Sequence, residues 1–385
     1  MSKIDELIQE LCPDGVEYKN LGSLASVNTG SQLNKTTLSK AGEYPVLNGG
    51  ISPSGYYHLS NTEEDTIAIS QGGASAGYVN FMHTKFWAGA HCFVIKPITD
   101  CIENKYLYYI LKNDQDKFMN AKLGAGIPGL NRKELTNYLI PIPPLPIQQE
   151  IVRILDKFTA LEAELEAELE ARKKQYEYYR NQLLTTIEKD GKWYMSGNEV
   201  GWKTLGEVCV SLRKGTLKRG QLVEDGAYPV INSGREWYGF YESYNNEADA
   251  LIIAARGEYA GFVSYISTKF WAGGLCYPYR SIKDDVIQTK FIYYYLKNNE
   301  QSIMDVLVSR GSIPAINKSD VDRIQIPIPP LSEQERIVSI LDRFDALVND
   351  ISIGLPAEIE ARRKQYEYYR GKLLSFKNIA DKQEA

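Results

Sequence analysis

The chain repeats itself at long range, and that repeat bounds the folds open to it. Thr84-Lys85-Phe86-Trp87-Ala88-Gly89 returns as Thr268-Lys269-Phe270-Trp271-Ala272-Gly273, Tyr44-Pro45-Val46 as Tyr228-Pro229-Val230, and Leu21-Gly22 as Leu205-Gly206, each displaced by 184 residues. Ile140-Pro141-Ile142-Pro143-Pro144-Leu145 recurs from Ile326 to Leu331, displaced by 186. Ala171-Arg172-Lys173-Lys174-Gln175-Tyr176-Glu177-Tyr178-Tyr179-Arg180 recurs at 361–370 with one change, displaced by 190. Solenoid repeats run about 20–50 residues, so this period means duplicated domains. At 385 residues the chain is long enough for two or three cores.

Each copy has two parts. The first, 16–144 and about 200–330, is rich in Gly, Tyr, Val and Ile in short bursts such as Thr66-Ile67-Ala68-Ile69 and Ala250-Leu251-Ile252-Ile253. These bursts, each followed by a glycine-bearing turn, predict strands, with one helix around Tyr106–Lys117 and its copy Phe291–Glu300. The second part is helical. Ser332 and Glu335 form a capping-box pattern, after which Ile337, Leu341, Phe344, Leu347 and Ile351 recur at spacings of three and four. The first copy runs Ile151, Leu155, Phe158, Leu161, Leu165, Leu169, then Tyr176, Tyr179 and Leu183. Such a seam needs a partner, and its own copy is the obvious one. The first helix carries the run Leu161-Glu162-Ala163-Glu164, Leu165-Glu166-Ala167-Glu168; the second carries Gly354-Leu355-Pro356. Proline inside a helix costs ~3 kcal/mol or more, which predicts a kink or break there, with Pro356 at the first position of a fresh helix.

Composition excludes several classes. No apolar run approaches the ~20 residues that span a bilayer, and Met1–Gln9 lacks a signal-peptide core, so the expected location is the cytoplasm, without membrane contact. Five cysteines without a C-x-x-C pair predict reduced structural thiols. His58, His83 and His91 lack the spacing of a helical zinc pair, and no metal site is expected. The net charge of −5 is unevenly spread: residues 16–140 carry 11 Lys+Arg against 10 Asp+Glu, and 200–326 carry 15 against 14. The acidity lies elsewhere, which allows basic patches in both strand-rich parts without predicting nucleic-acid binding.

A variable strand-rich part, then I-P-I-P-P-L, then I-V-x-I-L-D-x-F, then A-R-x-K-Q-Y-E-Y-Y-R, all present twice, resembles the specificity subunit of type I restriction–modification systems over nearly the whole chain. The resemblance implies an α+β fold of two pseudo-symmetric target-recognition domains separated by long antiparallel, coiled-coil-like spacer helices. It implies a bipartite double-stranded DNA site, two methyltransferase subunits as partners, and two restriction or motor subunits in the larger complex. S-adenosylmethionine is expected in the methyltransferase, with no cofactor in this chain. The division expected is an N-terminal helical segment, 1–15, packed near the chain's end; a first recognition domain, 16–144; a spacer helix, 145–190; a second domain, 191–330; a second spacer helix, 331–376, kinked or broken near Pro356; and a tail, 377–385.

Catalytic residues are not expected. The chain has no Walker-type G-x-x-x-x-G-K-[ST] and no G-x-G-x-x-G after a strand. Its Pro-Pro steps, at 142–145 and 328–331, are Ile-Pro-Pro-Leu rather than the Asn/Asp-Pro-Pro-aromatic turn with which amino-methyltransferases grip their target.

Aligned loops supply the candidates for DNA contact. Asn48-Gly49-Gly50 matches Asn232-Ser233-Gly234, followed by Arg235; Gln71 to Ser75 lies opposite Ala255-Arg256-Gly257-Glu258-Tyr259. Asn and Gln can grip adenine edges and Arg guanine, while glycine lets a backbone approach the duplex. The base-reading candidates are Asn48, Gln71, Ser75, Asn232, Arg235, Arg256 and Tyr259. Lys35, Lys122, Arg132, Arg213, Lys214, Arg219, Arg310 and Lys318 are candidates for phosphates, which position without reading. Surface loops are also Gly-, Asn- and Lys-rich simply because they turn in water. Tyr176, Tyr179, Tyr366 and Tyr369 fit either a helix seam or the docking of two identical partners. The repeated Phe86-Trp87 and Phe270-Trp271 read as core rather than base-stacking residues, and Cys92 and Cys276 as buried apolar sites. Two alternatives stay open: a tandem-domain protein-interaction adaptor, and a recognition chain of a related methyltransferase system without a motor subunit.

Overall fold

A computed structural model describes residues 2–120, 129–350 and 352–382. They gather into two units, 1–165 with 359–385, and 166–358. Each unit holds one strand-rich copy together with part of both long helical stretches, so the boundary falls inside the helices and not at the ends of the repeat.

In the first unit, Ala25–Thr29, Cys92–Pro97, Thr66–Ser70 and Val79–Met82 form an antiparallel sheet in that spatial order. Thr66–Ser70 is buried throughout, because both faces of the sheet are covered. Successive side chains of a strand point to opposite faces. Ile67 and Ile69 enter the main core with Val27, Phe93, Ile95 and Leu107. Ala68 enters a smaller core with Leu47, Phe86, Ala88 and Cys92. That second layer is a three-stranded sheet in which Tyr44–Leu47 lies between antiparallel Gly55–Tyr57 and parallel Trp87–Ala88.

The second unit repeats the plan. Leu251 and Ile253 face one core, while Ala250 and Ile252 face another with Ile231, Phe270, Ala272 and Cys276. Phe86 and Phe270 are therefore core residues, as the repeat predicts. Burial pushes the Cys92 and Cys276 thiols up to about 12, which leaves them protonated and inert near neutrality.

The helix expected around Tyr106–Lys117 is two helices, Asn104–Asn113 and Gln115–Asn120, and its copy is Thr289–Asn298 followed by Glu300–Leu307. Short polar side chains at the breaks compete with helical bonding. Asp114 accepts from the Tyr138 hydroxyl and pairs with Lys117 at 3.0 Å. Asn299 Nδ2 donates to the Tyr295 carbonyl at 2.8 Å.

The first spacer helix, Leu145–Leu184, is unbroken over 40 residues. The second is split into Leu331–Val348 and Leu355–Leu373, and Gly354-Leu355-Pro356 stands at the start of the later helix. Pro356 is the second helical residue rather than the first. A Cβ on Gly354 would lie 2.5 Å from the Ala346 carbonyl oxygen, so the turn demands glycine. The expected Ser332 cap is not used: the helix starts at Leu331 after Pro330, without a side-chain cap. A fully buried glutamine ties down this end instead. Gln334 Nε2 donates to the carbonyls of Pro329 and Val286, both at 2.9 Å, and Oε1 accepts the Gln288 amide at 2.9 Å. Gln148 does the same in the first unit, with Pro143 at 2.7 Å and with Cys101 and Glu103 at 2.8 Å.

A second pseudo-symmetric anchor joins helix to domain. Asp156 takes Lys105 at 2.7 Å and the Tyr109 hydroxyl at 2.5 Å; Asp342 takes Lys290 at 2.8 Å and the Tyr294 hydroxyl at 2.5 Å. Burial, then these carboxylates, push both phenols well above their ordinary range.

The helices pair antiparallel in the first unit. Phe158 packs on Tyr366 and Tyr369, and Glu162 bonds Arg363, so rising numbers on one helix meet falling numbers on the other. Helix Lys3–Leu11 packs beside the segment around Leu374–Lys377. Ile4 of helix Lys3–Leu11 joins the core that holds Leu374, and the Val16 amide donates to the Lys377 carbonyl at 2.8 Å.

The segment after the first spacer helix differs from expectation. The helix ends at Leu184, and Thr186–Lys189, Lys192–Met195 and Asn198–Thr204 form a meander on Gln325–Ile328. Asp190-Gly191 and Ser196-Gly197 make its turns, all four residues with positive φ, the backbone that suits a two-residue hairpin.

Candidate nucleic-acid interface

Loops that leave the two sheets build one rim per unit. In the first unit, Asn48 Oδ1 accepts the His91 amide at 3.2 Å, the Gln71 amide donates to the His91 carbonyl at 2.9 Å, and the Leu130 amide donates to the Gln71 carbonyl at 2.8 Å. In the second, Asn232 Oδ1 accepts the Leu275 amide at 2.9 Å, the Ala255 amide donates to the Leu275 carbonyl at 2.8 Å, and the Ile316 amide donates to the Ala255 carbonyl at 3.0 Å. Four loops are thus stitched together identically in both units.

Asn48 and Asn232 carry a structural task as well as being candidates. A Cβ on Gly89 would lie 2.3 Å from Asn48 Oδ1, and one on Gly273 2.7 Å from Asn232 Oδ1. The glycines let the asparagines brace the rim. Among the described residues the amide nitrogen of each asparagine makes no hydrogen bond. Gly77 plays a comparable part in the first unit: it has φ +90°, and a Cβ there would lie 2.6 Å from the Phe118 carbonyl carbon.

Above these braces the two rims differ. In the second unit Arg219, Asn232, Arg235 and Tyr259 line one open groove of about 970 Å³, joined by Glu258 and Trp237. The Arg235 guanidinium stacks on the Tyr259 ring at 5.0 Å and lies 5.7 Å from that of Phe262. Arg256 lies outside that lining and is exposed; its backbone bridges to Ala315. In the first unit Gln71 is half-buried, and the Ser75 carbonyl accepts the Tyr78 amide at 3.0 Å in the turn after Gly73.

The backbone candidates fall into two groups. Exposed Lys35 and Arg219 open equivalent short 3-10 turns, and exposed Arg132 opens helix Arg132–Thr136. Arg213 is exposed, and its carbonyl accepts from Asn246. Lys214, Arg310 and Lys318 have intramolecular partners: Lys214 meets the Gly274 carbonyl at 3.2 Å, Arg310 meets Asp305 at 2.9 Å and Lys318 meets Asp322 at 2.7 Å. Exposed pairs of this kind are worth about 0–1 kcal/mol, so a phosphate can displace them. Lys122 lies outside the described residues.

The tyrosine candidates form the helix seam. Tyr176 is buried, and with Tyr179 it stacks on Phe344; Tyr366 and Tyr369 pack on Phe158. Arg180 Nε donates to Asn298 at 3.1 Å and Arg370 Nε to Asn113 at 3.2 Å, so the ends of both motifs hold a domain helix. The outward residues are Tyr178 and Tyr368, 59% and 66% exposed. Helical spacing makes them visible in the sequence, one position from the residues singled out there.

Architecture and rims define the class: a duplicated α+β module, two copies fastened to helices by the same bonds and differing in the loops they present. Residues 13–171 and 199–361 match the type I restriction modification DNA specificity domain. Aligned over 421 positions, the chain is 35% identical to the specificity subunit of a type I restriction enzyme of Escherichia coli, covering 98% of this chain and 97% of that one. The S subunit of a type I restriction–modification system from M. genitalium shares the fold, with a TM-score of 0.70 at 22% identity over 94% of this chain and 96% of that one. A chain from a structure of type I complex assembly and conformational transition gives a TM-score of 0.55 at 17% identity, over 95% and 98%. The chain belongs to the family of type I restriction–modification specificity subunits.

Proposed function

We propose that this chain reads a bipartite double-stranded DNA site, one half per repeated domain, and assembles two methyltransferase subunits on it. Restriction or motor subunits join the larger complex. One observation supports this reading above others: the two copies share their anchors, Gln148 with Gln334 and Asp156 with Asp342, yet differ in the rim residues around Arg235 and Gln71. Equal mounting with unequal rims suits two readers of different half-sites presented to two identical partners.

In this reading the chain supplies selection and leaves the chemistry to its partner. S-adenosylmethionine and the target base belong to the methyltransferase, and the complex works in the cytoplasm. Phosphates approach Lys35, Arg132, Arg213 and Arg219, which fix position without reading sequence. The rim side chains then meet base edges in the groove.

The test is co-expression of the chain with a type I methyltransferase subunit from the same genome, followed by single-molecule mapping of methylated bases. The expected map shows one motif with two fixed halves around a non-specific gap. Purified chain incubated alone with labelled S-adenosylmethionine should transfer no label. Label in DNA from the pure chain, or a map without a discrete motif, contradicts the proposal.

A further inference from the structure

The groove in the second unit contains an unusual set of charges. Arg235, Arg219, Glu236 and Glu258 line it together, yet among the described residues none of the four forms an ion pair with another. Arg235 is exposed and, among the described residues, makes no hydrogen bond. Its guanidinium carbon lies over the Tyr259 ring at 5.0 Å and over that of Phe262 at 5.7 Å. Stacking desolvates the faces of a guanidinium while preserving its planar fork.

We propose that this groove selects a G·C base pair in the half-site of the second domain, with Arg235 gripping guanine and Glu258 accepting from cytosine. The inference rests on the reading of the chain as a DNA specificity subunit. The carboxylates decide between a base and a phosphate. Glu236, next to Arg235 in the chain, and Glu258 disfavour a phosphate at the Arg235 fork, whereas a G·C pair offers both kinds of partner on its major-groove edge. Guanine O6 and N7 accept from an arginine fork, and the cytosine amino group donates to a carboxylate. Glu258 precedes Tyr259, the residue on which Arg235 rests, so the two halves of the reader share one turn. That turn pivots on Gly257 at φ +95° and Gly261 at φ +89°.

Of these charges the first domain keeps only the one equivalent to Arg219, at Lys35. The positions 184 residues earlier are Ile51 for Arg235, Ser52 for Glu236, Ala74 for Glu258 and Ser75 for Tyr259. A guanidinium–carboxylate reader is therefore particular to the second half-site, and the first is read with uncharged groups such as Gln71.

The experiment uses the full chain in complex with its methyltransferase subunits. Methylation mapping first fixes the motif, and binding is then measured on duplexes changed one base pair at a time in the second half-site. One G·C pair should be required there. Replacing its guanine with 7-deazaguanine, which lacks N7, should weaken binding by the intact complex about 10-fold and binding by R235A little further than the substitution already has. R235K, which keeps the charge without the flat fork, should retain sequence-independent binding and lose most of the selectivity; it also serves if R235A assembles poorly. E258Q should relax discrimination at that pair alone. Uniform weakening on all sequences in R235A marks a phosphate contact and overturns the proposal, as does wild-type selectivity in R235A or R235K. A map with no two-part motif overturns the underlying reading instead; a clear motif unaffected by R235A and E258Q overturns this inference alone.

Discussion

Phe344 stacks on Tyr179 with ring centroids 5.6 Å apart, and Phe158 stacks on Tyr369 at 5.7 Å. The phenylalanines are displaced by 186 residues and the tyrosines by 190. In each unit, then, the early part of one spacer helix meets the late part of the other. The same contact made twice explains why both motifs occur twice.

That seam is testable. Phe344→Ala removes one ring from both the Tyr176 and Tyr179 stacks and should destabilise the second unit by about 2–4 kcal/mol. Tyr179→Phe keeps the stack and should stay within about 0.5 kcal/mol of the parent. Denaturant unfolding of the two variants separates them; equal curves would remove the seam from the account.

Gln334 ties a helix end to its domain without any signal in the local sequence. Gln334→Ala leaves the Pro329 and Val286 carbonyls and the Gln288 amide without their partner. An abandoned buried polar group costs about 1–3 kcal/mol, so a loss of about 2–4 kcal/mol is expected after partial relaxation. Gln148→Ala should match it in the first unit. Calorimetry on both variants would show two comparable shifts, and a neutral result in either would mean that the helix end is held by packing alone.

Acid stability should carry a signature of Glu150. Arg153 bonds its carboxylate at 2.5 and 2.8 Å, and Lys3 at 3.1 Å. The Arg153 bonds first, then Lys3, hold its pKa at about 2 against an ordinary 4.5, despite opposition from burial. A carboxyl with a depressed folded pKa contributes stability that is complete above the unfolded value and lost as pH falls through the folded one. The contribution therefore disappears between about pH 4.5 and pH 2. Glu150→Gln should flatten the acid limb of a thermal-melt series in that window while leaving its slope near neutrality unchanged; an unaltered acid limb would show that the pair is not coupled to folding.

Much of this molecule can be read from the sequence because a duplication tests each assignment twice. The strands follow from Ile67-Ala68-Ile69 and Leu251-Ile252-Ile253; that their alternating faces fill separate cores shows only in the fold. The helix break follows from Gly354 and Pro356. What escaped had a weaker local signal. Asp190-Gly191 is a hairpin turn hidden behind a helical pattern, and Ser332 looks like a cap where Pro330 and Gln334 set the helix start. The loops show their braces only in three dimensions: nothing in Asn232 alone reveals that its oxygen is committed to Leu275. The stack of Arg235 on Tyr259 joins residues 24 apart, beyond any local pattern.

The spacer helix should act as a ruler. At 1.5 Å per residue, the 40 residues of Leu145–Leu184 extend roughly 60 Å. One more Leu-Glu-Ala-Glu after Glu168 adds about 6 Å and about 400°, a full turn plus roughly 40°, which nearly preserves the leucine face. A base pair advances DNA by about 3.4 Å and rotates it by about 35°. The expected outcome is the same two half-sites with a gap longer by one base pair, or two if the whole lengthening is transmitted. Deleting Leu165–Glu168 should shorten the gap correspondingly. Methylation maps of both variants decide the matter: an unchanged gap in an active complex refutes the ruler.

If each repeated domain reads its own half of a two-part DNA site, replacing 16–140 with the equivalent part of a relative of different specificity should move one half alone. The exchanged chain is co-expressed with the methyltransferase and the methylated motif is mapped. One half-site should change to the donor's sequence while the other half and the gap length stay as they were. A motif changed in both halves, or unchanged in both while methylation continues, would contradict it.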